Sequence, residues 1–389
     1  MVNLVVVSNT RQTLREICAN LDAMEESIEV TPIEGGLDDL ANIPAHQDPE
    51  VMILDCSGGG CGQLERVEQL RQLYPDMALI LVSENPAPDF LLGAMRAGVR
   101  EVLPLPATTP SLAAALGRLV RKANGAERRR GRILTFVGCK GGAGTSFLAA
   151  NLAFVLSERA QKVLLLDLNL QFGDAALFVS DQKSTKTIAD LAEEIHRVDA
   201  AFLASSVVHV TGTFDVLAAP EDPARALAVK AEHVDTLLRL ARHQYDFVVI
   251  DAGRGLDAVS LRALDHADVI YPVLQLTLPF IRDAKRLVDA FRSLDYSRDK
   301  VRMIVNRYQK GGDIGLADVQ KSLGYAAAHV IPNQFDAVAS SVNQGVPVLK
   351  LAPASTVSKA LLDIAATLTD IESNNVVRGG WLGRFLGRS

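Results

Sequence analysis

The sequence predicts an α/β protein made of two doubly wound parallel-sheet domains, and three observations carry that expectation. Short apolar runs alternate with helical patterns through both halves of the chain, at the spacing of βαβ units. A polar, strongly basic stretch at 121–131 interrupts the alternation. A glycine-rich loop, Cys139-Lys140-Gly141-Gly142-Ala143-Gly144-Thr145-Ser146, joins an apolar strand to a helical pattern early in the second half. The chain is therefore divided into a first domain at 1–120, a linker at 121–131, a second domain at 132–375 and a basic, amphipathic tail at 376–389.

In chain order, the first half suggests strands at 4–8, 28–32, 51–55, 78–83 and 101–105, with helices at 13–21, 63–73 and 88–97. The second half suggests strands at 133–137, 162–166, 214–217, 247–250, 269–273 and 301–305. The 389 residues, 48% hydrophobic and 22% charged, suit a chain of two or more domains with ordinary cores. A formal net charge of -6 argues against nucleic-acid binding over the whole surface; the basic linker is the only clear cationic cluster, and DNA is not expected as a partner. No apolar run approaches the roughly 18 residues of a membrane span. The start, Met1-Val2-Asn3-Leu4-Val5-Val6-Val7, lacks the basic segment of a signal peptide, so a cytoplasmic location is expected. Cys18, Cys56, Cys61 and Cys139 sit at no metal-ligand spacing and read as reduced thiols.

Strand, glycine-rich turn and helix is the setting in which backbone N–H groups and a helix N-terminus cradle phosphates. The standard pattern G-x-x-x-x-G-K-[ST] needs a glycine at 139 and a lysine at 145, where this chain has Cys139 and Thr145. Its lysine comes earlier, at Lys140. K-G-G-x-G-x-[ST] resembles the deviant Walker A loop of the ParA/MinD ATPases. That resemblance implies a P-loop fold of the ParA/MinD type binding ATP or ADP with Mg2+, a homodimer that sandwiches nucleotide, and a catalytic role for Lys140 reaching across it. Gly141, Gly142, Ala143, Gly144, Thr145 and Ser146 would hold phosphates.

Further segments extend the resemblance. Asp167, after an apolar run, matches the first acid of the family's D-x-D, a catalytic position near the Mg2+ shell, while Asn169 stands where the second acid belongs. Asp251 ends another apolar run in the form of a Walker B, which implies Mg2+ held by Ser146 and, through water, by Asp251. Asn306 matches the family's adenine-contacting asparagine, and Val330-Ile331-Pro332-Asn333 its base-pocket turn. A lost charge-assisted hydrogen bond from the missing lysine would weaken binding by about ten- to a hundredfold. A lost cation on the transferring phosphoryl group can cost about 10³–10⁵ in rate. Binding is thus expected to survive, with hydrolysis weak or absent.

The first half resembles a response-regulator receiver, a flavodoxin-like fold, with Asp55 at the phosphate-acceptor position, Ser83 ending the fourth strand, and Ala97-Gly98 opening the closing motif. It departs where phosphoryl chemistry needs charge: Ser8-Asn9-Thr10 replaces the acidic pair and Leu105-Pro106 replaces Lys-Pro. Asp55 is therefore read as structural and the domain as a pseudo-receiver. Together with Asp167-Leu168-Asn169-Leu170-Gln171-Phe172-Gly173-Asp174, the two-domain order resembles the CpaE/TadZ family of Flp/Tad pilus-assembly proteins. That likeness implies polar localisation and partners among pilus and secretion components, including a secretion ATPase. Trp381 to Phe385 in the tail could give peripheral membrane contact. The alternative is a working MinD/ParA-type ATPase cycling on membrane or DNA.

Overall fold

The computed structural model describes residues 2–24, 28–36, 49–57, 67, 77–84, 87–123 and 131–377. Cys61, most of the helix expected at 63–73, linker residues 124–130, and the tail with Trp381 and Phe385 lie outside the described residues. The chain divides into two compact units, Met1–Arg128 with the chain end from Val376, and Arg129–Asn375.

The first unit holds strands β1 (Val2–Ser8), β2 (Ile28–Glu34), β3 (Val51–Asp55), β4 (Ala78–Ser83) and β5 (Glu101–Pro104), all parallel, in the order β2-β1-β3-β4-β5. This is the order of flavodoxin-like doubly wound sheets. Helices α1 (Arg11–Asp22), α2 (Pro88–Arg96) and α3 (Thr109–Ala123) are described with it. Successive side chains of a strand point to opposite faces, so the apolar runs serve two cores. Leu4, Val6, Ile53 and Ile80 pack on one side, and Val5, Val7, Met52 and Leu79 on the other. Burial on both faces is why these strands read as unbroken apolar runs. Helix α3 runs through 121–123, so the stretch expected as linker begins inside a helix.

Asp55 ends β3 with both carboxylate oxygens occupied. Ser8 Oγ donates to Oδ2 at 2.6 Å, while Ser57 N and Oγ donate to Oδ1 at 2.8 and 2.5 Å. Only 4% of the residue is exposed, and it braces the ends of β1 and β3. The Cys56 thiol beside it is pushed up to about 12 by burial first and by Asp55 second.

The second unit is an eight-stranded sheet built from β6 (Arg132–Gly138), β7 (Val163–Asp167), β8 (Val208–Thr211), β9 (Phe214–Leu217), β10 (Phe247–Asp251), β11 (Val269–Leu274), β12 (Met303–Tyr308) and β13 (Ala327–Pro332). Their order is β13-β12-β11-β6-β10-β7-β9-β8. All pairs are parallel except β8 with β9, which are antiparallel, so this sheet is mixed at one edge rather than wholly parallel as expected. Two strands went unread in the sequence. β8 is four residues long with His209 and Thr211 in it, and β13 opens on Ala327-Ala328-His329 without a β-branched residue. Ile331 and Pro332, expected in a turn, close β13 instead. Helix α4 (Thr145–Ser157) runs through the core and is buried at every residue but Ser146, which explains its all-round apolar sequence.

Candidate nucleotide-binding site

The site lies at the carboxyl ends of β6, β7, β10 and β12, where open α/β sheets place ligands. β6 ends at Gly138, whose N–H donates to Gly253 O at 2.7 Å, and Cys139 N–H donates to Val273 O at 2.9 Å. The chain then turns through Gly142 and Gly144, with φ of +79° and +91°, conformations open to glycine. Gln275 Nε2 donates to Gly142 O and Asn306 Nδ2 to Ala143 O, both at 2.8 Å. Two successive carbonyls are thus pinned from outside, which fixes the peptide planes of a loop that presents N–H groups to phosphate. Gly144 is the N-cap of α4 and supplies no side-chain cap, leaving first-turn amides for a ligand.

A Cβ at Gly144 would run into Asn306 Nδ2 in a backbone conformation that costs an L-residue about 1–2 kcal/mol. Gly144→Ala is expected to break the Asn306 clasp and weaken nucleotide binding at least tenfold while the fold persists. Titration with a fluorescent ADP derivative, beside a far-UV spectrum, measures this; unchanged affinity would contradict the loop assignment.

Asp167 and Asp251 are direct register partners at the ends of β7 and β10. Both are essentially inaccessible to solvent, at 1% and 0%. Burial is the largest cause of their raised pKa values. Asp167 is pushed up to about 8, further raised by the Asp251 charge and partly relieved by N–H donors from Ala175 at 2.9 Å and Asn169 at 3.0 Å. Asp251 is raised by burial, and the Ser146 hydroxyl and Gly253 N–H favour its ionised form. Its Oδ2 nevertheless has no hydrogen-bond partner. Two buried carboxylates facing one another, one with an orphaned oxygen beside a serine hydroxyl, suit a divalent cation with few protein ligands. Mg2+ is such an ion, keeping several waters and taking phosphate oxygens. Ser146 and Asp251 would hold it, and its charge would remove the cost of ionising the pair. Gly173 is part of the same arrangement, because a Cβ there would stand 2.6 Å from both Asp167 oxygens.

The remaining residues fall in different places. Thr145 turns its hydroxyl to Gly138, where a Cβ would lie 2.7 Å from Oγ1, and brings no charge to the loop. Lys140 Nζ pairs with Asp283 Oδ2 at 3.0 Å, on the helix Leu278–Ser293, and lowers the Asp283 pKa chiefly through that hydrogen bond. Asn169 donates Nδ2 to Phe172 O at 3.0 Å and lies against Gly253. Asn306, expected to meet adenine, is 7% exposed. Its amide donates to Ala143 O and accepts from Arg307 N–H, so it clasps the loop from a position that lines the same cavity. Pro332 and Asn333 line the same cavity, about 680 Å³ in volume, as Lys140, Gly144 and Ser146. Gln275, Arg254 and Asp283 were not singled out by the sequence; nothing local marks them, since each reaches the loop from a different strand end or helix.

A cavity lined by a glycine-rich loop and the uncapped N-terminus of a helix, with two buried strand-end carboxylates behind it, defines a P-loop nucleotide-binding domain. A family model described as an AAA domain matches residues 131–299. A ParA family ATPase from Chlorobium tepidum TLS is 30% identical, with a TM-score of 0.58 over 60% of this chain and 98% of that one. The chain belongs to this ParA/MinD family of ATPases. It is also 23% identical over 224 residues to the septum site-determining protein MinD of Thermotoga maritima, covering 56% of this chain and 81% of the relative. The MinD of Pyrococcus horikoshii OT3, solved in complex with Mg-ADP, shares the fold at 22% identity and a TM-score of 0.53, over 62% of this chain and 97% of that one. Among the described residues no helix is long and apolar enough to cross a membrane.

Proposed function

We propose that this chain is an ATP-binding localisation and assembly scaffold of the CpaE/TadZ type, serving Flp/Tad pilus biogenesis, with nucleotide gating its dimerisation and little or no turnover. The observation that carries the reading is the pairing of an intact magnesium corner with an incomplete catalytic set. Ser146, Asp167 and Asp251 are brought together, while the lysine position holds an uncharged Thr145 and the water-orienting position an amide, Asn169. Mg-ADP in the Pyrococcus horikoshii relative supports the choice of cofactor. The flavodoxin-like strand order of the first unit and the fully bonded Asp55 support a pseudo-receiver that does not take phosphate. Its partners are a second copy of the chain and pilus or secretion proteins at the inner face of the membrane, with the C-terminal tail as a weak lipid contact. The intact carboxylate pair keeps one rival reading, a cycling MinD/ParA-type ATPase.

Sedimentation velocity of the full chain tests the gating. Mg-ATP is expected to convert monomer to dimer and to hold it there for hours, and Mg-ADP to do so less. A sedimentation coefficient indifferent to nucleotide would contradict the proposal. A dimer that decays in step with phosphate release would favour the cycling ATPase.

A further inference from the structure

The cavity contains a cation that the motif leaves unused. Arg254 follows Gly253 in the turn after β10, is exposed, and has Nη1 3.7 Å from where a Cβ on Gly141 would stand. It lines the same cavity as the loop. Its guanidinium has no hydrogen-bond or ion-pair partner among the described residues.

The turn that carries it is fixed on two sides. Gly253 N–H donates to Asp251 Oδ1 at 3.1 Å, and Gly253 O accepts from Gly138 N–H at 2.7 Å. Gly253 adopts a φ of +60°, so the chain reverses sharply between the metal-side carboxylate and the arginine. The Arg254 backbone is thereby set relative to both the Asp251 carboxylate and the start of the glycine loop. The other cations of the cavity are placed differently. Lys140 is paired with Asp283, and Arg307 follows Asn306 at the end of β12, on the side of β13. A guanidinium is permanently charged, and its planar fork matches two phosphate oxygens at once.

We infer that Arg254 is the phosphate-facing cation of this site, supplying from the β10 turn the charge that a lysine at 145 would supply from the loop. The inference rests on the nucleotide-binding reading above. A lysine at the loop position reaches the β- and γ-phosphates. A cation taking over that role matters most for a triphosphate. It also accounts for a loop that keeps its glycines, its clasps and its serine while placing threonine where the charge is expected.

Isothermal titration of the full chain with Mg-AMP-PNP and with Mg-ADP tests it. R254Q is expected to weaken AMP-PNP binding by about ten- to a hundredfold, the range of a lost charge-assisted hydrogen bond. ADP binding should change by less than about threefold. R254K should keep most of the affinity, and adding T145K to R254Q should return at least part of it. Thermal midpoints of the ligand-free variants should match the parent, because Arg254 makes no contact that holds the fold. Equal AMP-PNP affinity in R254Q and the parent would overturn the assignment. So would an equal loss of both nucleotides that neither R254K nor T145K restores. Failure of the parent itself to bind either nucleotide would remove the nucleotide-binding reading and this inference with it, an outcome plainly different from the other two.

Discussion

Replacing Asp251 with asparagine is expected to stabilise the metal-free chain above pH 7 and to remove most of its Mg2+-dependent nucleotide binding. Both effects come from one pair of carboxylates. Asp167 is pushed up to about 8 in the folded chain, from an ordinary carboxylate value of 3.8, by burial first and the Asp251 charge second. Between those two values the folded state binds more protons at this position than the unfolded state does. Stability therefore falls as pH rises through the window and is highest below it. As pH rises towards and past 8 the metal-free protein carries a growing share of the cost of ionising a buried like-charge pair. Asp251→Asn removes one charge and offers Asp167 an N–H donor in its place. A gain of about 1 kcal/mol, roughly 2–4 °C in thermal midpoint, is expected at pH 8 in a chelator, with a flatter dependence between pH 5 and 8. Differential scanning calorimetry of both proteins across that range measures it. Parallel pH profiles would show that the two carboxylates do not oppose one another. The same variant should lose at least tenfold in affinity for Mg-ADP while affinity for ADP in chelator stays near the parent's, because the ligand removed acts through the metal.

The second large effect is a gain of activity. If Thr145 and Asn169 are what suppress turnover, restoring a lysine and an aspartate together should raise ATP hydrolysis from background to a measurable rate. A cation on the transferring phosphoryl group is worth about 10³–10⁵ in other phosphoryl-transfer enzymes, which sets the upper range for Thr145→Lys. Asn169→Asp adds a carboxylate able to orient water. Because Arg254 already supplies a phosphate-facing charge, the single Thr145→Lys change should tighten nucleotide binding by less than about tenfold, with a smaller gain in rate than the double variant. Phosphate release by the double variant no faster than the parent would place the block elsewhere, in the backbone of the loop or in the position of Lys140. Asp283 holds Lys140 at 3.0 Å, so the early lysine is not aimed at the loop in the single chain.

The α/β class and most of the strands were legible because both sheets bury two faces, which turns strands into apolar runs bounded by polar turns. The strand-end aspartates could be found for the same reason: Asp55, Asp167 and Asp251 each stop such a run. The loop was legible because its glycines have steric causes at Gly138, Gly142 and Gly144 that recur wherever phosphate is cradled. What the sequence hid is long-range. The register that opposes Asp167 to Asp251, the clasps from Gln275 and Asn306, the Lys140–Asp283 pair and the approach of Arg254 to Gly141 each join segments far apart in the chain. Asn306 shows the limit best. Its place at a strand end near the loop followed from the motif order, but the direction of its amide depended on where Ala143 stands. β8 and β13 were hidden because edge strands bury less and carry weaker apolar patterns.

The central claim, a nucleotide held with little turnover, is tested most directly by mixing the purified full chain with Mg-ATP and following bound nucleotide and free phosphate in the same sample. ATP retained intact over hours, with phosphate at the level of a protein-free control, is the expected result. Steady phosphate release above that control would contradict it and return the chain to the cycling ATPases.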